Sequence, residues 1–331
     1  MAFNLAQAAK LEKHELRAGI MMNLLRAGPI LNYLSFENVS AFTSIALRWT
    51  SLPSVAFRRV NQGYTTSEGD VEQVYESVYG FGGDMEIDRV FDKVKASMVK
   101  DPRTLLIEMK TKAMALQFNN YFINGDHAVD PDGFEGLKKR ISNMPSRQTI
   151  RAGATTDVLD PTASAANARR FLDKVEEAHY KANSGDVSVV LANEGMVWGF
   201  GRALRYLGTA GMGLLDMTQD GFGREFMTYK GAPLLDMGLL TDQTTEVISA
   251  AETADDGGTD ATSMYFVPFN MEHGIYGIQL GEMEIYDPLD GAEQATKPTR
   301  LVRVDWWCGL AGFGSYGPTR LYNIETPANW T

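Results

Sequence analysis

A chain of 331 residues, 44% hydrophobic and 22% charged, can bury a sizeable core without staples, in one elaborated domain or about two. Its single cysteine, Cys308, excludes an internal disulfide, and no apolar run approaches the ~20 residues a membrane-spanning helix needs. A net charge of −11 argues against general affinity for nucleic acid, because phosphate binding needs clustered Lys and Arg.

The first 28 residues do not form a signal peptide, since Lys10, Lys13, His14 and Arg17 interrupt the apolar positions; the chain is expected to be cytoplasmic when made. Leu5, Ala8, Ala9, Leu16, Ile20 and Leu24 follow a loose helical pattern that Gly28-Pro29 ends. Lys10, Lys13, Arg17 and Arg26 outweigh Glu12 and Glu15 there, which suits a polyanion, a neighbouring subunit or, more simply, a solvated helix packed on protein.

Residues 44–50 and 54–60 read as extended, and a polar turn at 61–70 links them to a second run, Val71–Phe81. In that run Val71, Gln73, Tyr75, Ser77, Tyr79 and Phe81 share one strand face, while Glu72, Val74, Glu76 and Val78 share the other. The whole reads as a long β-hairpin, and an isolated two-stranded ribbon is marginally stable in water, so it must lie on something. Apolar residues on both faces predict contacts on both sides.

Asp101-Pro102 opens a long helix, with Asp as N-cap and Pro at the first turn, and Asn124-Gly125 closes it. At about 1.5 Å per residue this helix is roughly 30–35 Å long. Further helices are expected at 165–182 and from Glu194 to about Leu207, with strands at 187–192 and 225–238 and a loop at 208–213. From 261 onward the pattern is β, over 263–270, 274–289, 298–313 and 316–325, preceded by a polar loop at 253–262. The class is α+β.

Candidate chemistry is sparse. His14, His127, His179 and His273 are scattered, and Ala18 stands where a zincin-like pair would need its second His. Cys308, beside Trp306 and Trp307, reads as a buried strand cysteine. Phe313 occupies the first glycine position of what would otherwise be a nucleophile elbow at Gly314–Gly317. Asp126, His127, Asp130 and Asp132 are the best metal candidates, but Ala128 and Lys139 fall where an EF-hand needs carboxylates. A turn built by Asp and Gly at a helix terminus explains them better, and no catalytic residue, metal or cofactor is assigned.

That stretch resembles a known architecture. A long helix ending Phe122-Ile-Asn-Gly-Asp126, then Gly133-Phe-Glu-Gly-Leu137, is similar to the spine-helix segment of HK97-fold major capsid proteins of tailed double-stranded-DNA bacteriophages. Tyr229–Asp236 and Ala261–Gln279 resemble two later segments of that family, in the same order. The resemblance implies an N-terminal arm at 1–45, an extended E-loop hairpin at 46–90 and a P-domain at 91–207 carrying the spine helix at 101–124. An A-domain mainly at 208–300 would follow, with C-terminal strands at 301–331 returning to the P-domain.

The implied role is mechanical and not enzymatic. Pentamers and hexamers would self-assemble into an icosahedral shell enclosing DNA without sequence-specific binding, in the virion after assembly in the host cytoplasm, with no membrane involved. Implied partners are further copies of the chain, a portal and a decoration protein. No long charged helical segment precedes the arm, so scaffolding is expected from a separate protein. Because no lysine lies between Lys13 and Lys93, an isopeptide cross-link from the hairpin has no nucleophile, and stabilisation is expected to be non-covalent. Arg58, Arg59, Tyr64, Glu72, Glu76, Phe134 and Glu135 are the expected inter-subunit contacts. An encapsulin-type nanocompartment is the alternative within the fold; outside it, a metal enzyme on the 126–135 loop and a decoration or portal-linked protein fit less well.

Overall fold

A computed structural model describes residues 28–88, 90, 102–153, 158–208, 215–219, 225–255, 257–271, 274–289, 294, 296–312, 314 and 317–325. The expected helix before Gly28, Asp101, the 209–213 loop, His14, His273, Ser315 and Tyr316 lie outside those residues.

One sheet is organised by β13 (Thr299–Ala311), which turns Val302, Val304, Trp306, Cys308 and Leu310 inward and Arg303, Asp305 and Trp307 outward. β4 (Tyr79–Asp88) runs antiparallel along one side of β13, while β12 (Glu284–Tyr286) and β11 (Tyr276–Gln279) share the other. β1 (Phe36–Asn38) adds to β11 in parallel. The expected strand at 274–289 is thus two strands, broken at Gly281, whose φ of 84° favours glycine. The long helix α1 (Pro102–Asn124) packs here through Phe118, fully buried, with the rings of Phe36, Phe81, Phe122, Phe134 and Trp306 at 5.7–6.4 Å. Burial in this core pushes the Cys308 thiol far above its usual range, so it stays protonated and inert.

The second sheet has seven strands in the order β5 (Thr149–Arg151), β14 (Thr319–Glu325), β10 (Ala261–Val267), β6 (Val189–Ala192), β9 (Ala232–Asp236), β8 (Glu225–Tyr229) and β7 (Leu215–Gln219). Its central strands are buried on both faces, which is why they read as unbroken apolar runs. Tyr265, Val267, Val189, Leu191 and Leu235 face the core shared with α1; Met264, Phe266, Val190, Ala192 and Leu234 face α3 (Ala165–Lys181) and α4 (Glu194–Tyr206). Both helices begin where their caps direct: Ser164 Oγ accepts from Asn167 N at 3.1 Å, and Asn193 Oδ1 from Met196 N at 2.8 Å. The run 225–238, expected as one strand, folds back at Lys230-Gly231, both left-handed at φ 50° and 86°, the requirement of a tight hairpin turn.

β2 (Thr43–Ser51) and β3 (Asp70–Ser77) pair antiparallel, with Ile45 opposite Tyr75 and Trp49 opposite Val71. Residues 54–60 are not a strand, contrary to expectation. Ser67 Oγ instead accepts from Ser54 N at 2.8 Å and donates to Ser54 O at 3.1 Å, and Asn61 takes a left-handed φ of 66° at the tip. The ribbon also ends sooner than expected: the chain leaves it at Val78, whose N donates to Phe42 O at 3.0 Å, and continues as β4 in the body.

The stretch 119–141 is a packed joint. Gly136 N donates to Gly125 O at 2.9 Å, drawing the end of α1 against the start of α2 (Leu137–Ser142). A Cβ on Gly136 would lie 2.5 Å from Tyr121 O and 2.7 Å from Gly125 N, so the position excludes side chains sterically at an ordinary φ of −83°. We therefore expect Gly136→Val to lower subunit stability by about 1–3 kcal/mol, as for overpacked cores, and to reduce the yield of assembled particles. Denaturant melts would check this; an unchanged midpoint would mean the backbone gives way freely.

A second expectation concerns pH. Burial raises the carboxyl pKa values of Asp236 and Glu246, reinforced by Glu194 on both and by Asp236 on Glu246. Groups raised in the folded state stabilise it below their unfolded pKa, and that stability is lost as pH rises through the folded pKa. The double variant Asp236→Asn with Glu246→Gln should thus melt higher than the parent at pH 7, with the difference closing below about pH 4. Calorimetry at both pH values would check the sign.

Candidate assembly surface

The acidic loop after α1 holds its own carboxylates. Asp126 Oδ1 accepts from Ala128 N at 3.0 Å and its Oδ2 from Lys139 Nζ at 3.1 Å, which keeps this carboxyl below the usual range. Asp130 accepts from the Tyr121 hydroxyl, a bond that raises the phenol pKa, and its Oδ1 accepts from Asp132 N at 3.3 Å. His127 Nδ1 lies 3.3 Å from Gly133 O. Each group braces the turn, and among the described residues no three His, Cys, Asp or Glu side chains are grouped to hold a metal ion.

Beside this joint the hairpin meets the body. Arg140 on α2 places Nη1 2.5 Å from Glu76 Oε1 and Nη2 2.8 Å from Glu76 Oε2, with both side chains largely buried. The same guanidinium donates to Glu135 O at 2.8 Å and Leu310 O at 2.9 Å. Glu76, expected at a subunit boundary, is therefore committed within the subunit. Phe134 likewise sits in the core, 5% exposed, ringed by Phe118 and Tyr121, and is not an outward contact. A cavity of about 390 Å³ remains at the hairpin base, lined by Arg48, Tyr75, Tyr79, His127, Glu135 and Arg140.

Beyond the base, strand register sorts the hairpin into two unlike faces. Ile45, Leu47 and Trp49 project with Val71, Gln73 and Tyr75 on one side; Leu47 and Trp49 are 65% and 71% exposed. Ser44, Ala46 and Arg48 project with Glu72, Val74 and Glu76 on the other, where Arg48 Nη2 meets Glu72 Oε2 at 2.7 Å. Large apolar side chains are thus concentrated on one face, and among the paired residues of β2 and β3 Val74 is the only one on the polar face. The tip adds Leu52, Val55, Phe57 and Val60, all exposed. Arg58 stacks over exposed Tyr64, 5.1 Å from the ring centroid, and donates to Gln62 O at 3.1 Å; Arg59 O closes the tip turn by accepting from Gln62 N at 3.2 Å.

Of the seven expected contacts, the structure gathers Arg58, Arg59, Tyr64 and Glu72 on the projecting ribbon, and Glu76, Phe134 and Glu135 at its base. Sequence reasoning missed Ile45, Leu47 and Trp49, although their alternation was visible, and missed Arg140, whose partner lies 64 residues away.

An exposed apolar patch rimmed by polar groups marks an interaction surface on a soluble protein. Comparison with known proteins says of what kind. Residues 20–167 match the family model of the major capsid protein GP7. No curated protein matches the chain. Among solved structures, the holo-SrpI encapsulin of Synechococcus elongatus PCC 7942 superposes with a TM-score of 0.61 at 14% identity, over 99% of this chain and 98% of that one. The capsid of a native GTA particle gives 0.56 at 14% identity over 91% and 90%, and Mycobacterium phage Ogopogo 0.57 at 10% over 90% and 91%. Residues 20–167 thus resemble a major capsid protein family, and over nearly its whole length the chain shares the fold of these encapsulin and capsid subunits.

Proposed function

We propose that copies of this chain tile an icosahedral shell as pentamers and hexamers around viral double-stranded DNA, joined without covalent cross-links. The carrying observation is the hairpin face of Ile45, Leu47, Trp49, Val71 and Tyr75, which the subunit itself leaves open to solvent. Burying one such side chain fully is worth about 1.5–3 kcal/mol, while an exposed ion pair such as Arg48–Glu72 contributes about 0–1 kcal/mol. A neighbouring subunit covering this face would therefore supply most of the holding energy, with Arg58, Arg59 and Glu72 setting register.

The lobes we propose follow packing. The hairpin is the E-loop, and α1 with the β13 sheet forms the P-domain. The seven-stranded sheet with α3 and α4 forms the axial domain, which moves 165–207 out of the P-domain range expected from sequence. Assembly in the host cytoplasm with separate scaffolding, portal and decoration proteins, and the absence of enzymatic activity, belong to the same proposal. A negative chain also fits a container that does not grip phosphates.

One observation favours a second reading: the encapsulin superposes over nearly the whole chain. Electron microscopy with analysis of particle contents separates the two. Polyhedral shells containing DNA support the capsid; shells containing a second protein support the nanocompartment; a subunit that never associates overturns both.

The bracing role has its own tests. Leu47→Asp with Trp49→Asp should leave a folded subunit with an unchanged melting midpoint but abolish shells, read by sedimentation. Deleting 61–70 should do the same. Shells of normal stability from either variant would show that the hairpin does not brace its neighbour.

A further inference from the structure

The two ends of α4 carry opposite charge. At its start, where β6 hands over to the helix, Ala192 pairs with Asp236 at the end of β9, Glu194 opens the first turn, and Asn193 Nδ2 donates to Glu246 Oε2 at 3.1 Å. Three carboxylates thus gather there. Glu194 and Asp236 are exposed and Glu246 is half-buried, and among the described residues none of them is in an ion pair with Lys or Arg. Burial, with repulsion between neighbours behind it, holds the Asp236 and Glu246 carboxyls above their usual range.

At the far end, the last turn of α4 meets the start of α3. The Tyr206 hydroxyl donates to Thr162 O at 3.1 Å, and the rings of Phe171 and Phe200 pack edge to face at 6.1 Å. Arg202 and Arg205 on one helix and Arg169 and Arg170 on the other come to the same end of the layer, all four exposed. Arg205 Nε donates to Gly201 O at 3.3 Å, and Asp173 lies one turn beyond Arg169. Among the described residues none of the four arginines is in an ion pair. Complementing a helix dipole accounts for Glu194 and Arg205, but not for arginines in the first half of α3, nor for Asp236 and Glu246 crowded beside Glu194. The 13 residues of α4 set the two clusters about 20 Å apart.

Resting on the shell reading above, we infer that the arginine end of each copy seats against the carboxylate end of the next within a pentamer or hexamer. Each end bears the charge the other lacks, so the matching occupant is a second copy of the chain. Two unlike patches on one subunit make a head-to-tail contact, which closes into a ring under repeated rotation, whereas a two-fold contact would set arginine on arginine. Guanidinium groups meet carboxylates through paired N–H donors, so this contact sets orientation as well as attraction. The repulsion among Glu194, Asp236 and Glu246 is carried by the free subunit and relieved on assembly.

Neutral variants test this. Glu194→Gln, Asp236→Asn and Glu246→Gln together neutralise one end; Arg169→Gln, Arg170→Gln, Arg202→Gln and Arg205→Gln together neutralise the other. Native mass spectrometry of the full chain is run under conditions where the parent yields pentamers and hexamers, with melting midpoints of all three proteins at pH 7. Each variant should lose both rings. The carboxylate-end variant should do so while melting higher than the parent, a combination that damage to the fold does not produce. Mixed in equal amounts, the two variants should give dimers and no rings, because only one junction per pair keeps both charges. Rings at the parent's level from either variant, or from the mixture, overturn the inference. A parent that forms neither ring overturns the shell reading itself, so the two failures are told apart.

Discussion

Arg140 is enclosed by three parts of the chain: the Glu76 carboxylate at the end of the hairpin, the Glu135 carbonyl in the joint and the Leu310 carbonyl on β13. A buried ion pair is not in itself a strong source of stability, since desolvation opposes the Coulombic gain. What this one provides is geometry. Both carboxylate oxygens meet the planar guanidinium, so Glu76 and hence the root of β3 can take only one orientation relative to the body. One residue pair farther on, the chain leaves the ribbon at Val78 and enters the β4–β13 ladder. The direction in which the apolar face of the hairpin points is set at this root.

The body that carries this root is stiff for a related reason. The seven-stranded sheet serves two cores at once, with alternate residues of β6, β9 and β10 facing opposite ways. Neither core can repack alone, because a shift of one residue in any of these strands would exchange the two sets of side chains. Displacement at α3 or α4 is therefore passed through the sheet to α1 and the joint.

What could be read from sequence follows from range. α3 and α4 were legible because caps and apolar spacing are local, and the doubly buried strands because their apolar runs are unbroken. The hairpin was legible as a hairpin but not in its details. Val55 and Phe57 imitate strand alternation at 54–60, yet among the described residues no partner strand faces them, and periodicity reports side-chain polarity, not pairing. Phe134 and Glu76 looked like outward contacts beside polar turns; what buries them is Phe118 and Arg140, brought from elsewhere by the fold. Gly136 stands in the segment that carries the resemblance, but what excludes a side chain there is crowding by the Tyr121 and Ile123 carbonyls and Gly125 N, which no local pattern encodes.

The one-sidedness of the hairpin constrains how a shell can be built. Were both faces apolar, each ribbon would have to be buried between two other layers. With Ser44, Arg48, Glu72 and Glu76 on one face, a ribbon needs a surface on only one side, and its polar face can meet water without penalty. That permits a wall one subunit thick, with each hairpin laid flat over its neighbour. It also decides what a removed neighbour would cost. Leu47, Trp49 and the tip residues would all return to water together, so in the proposed shell the loss of one subunit would weaken the hold on the next.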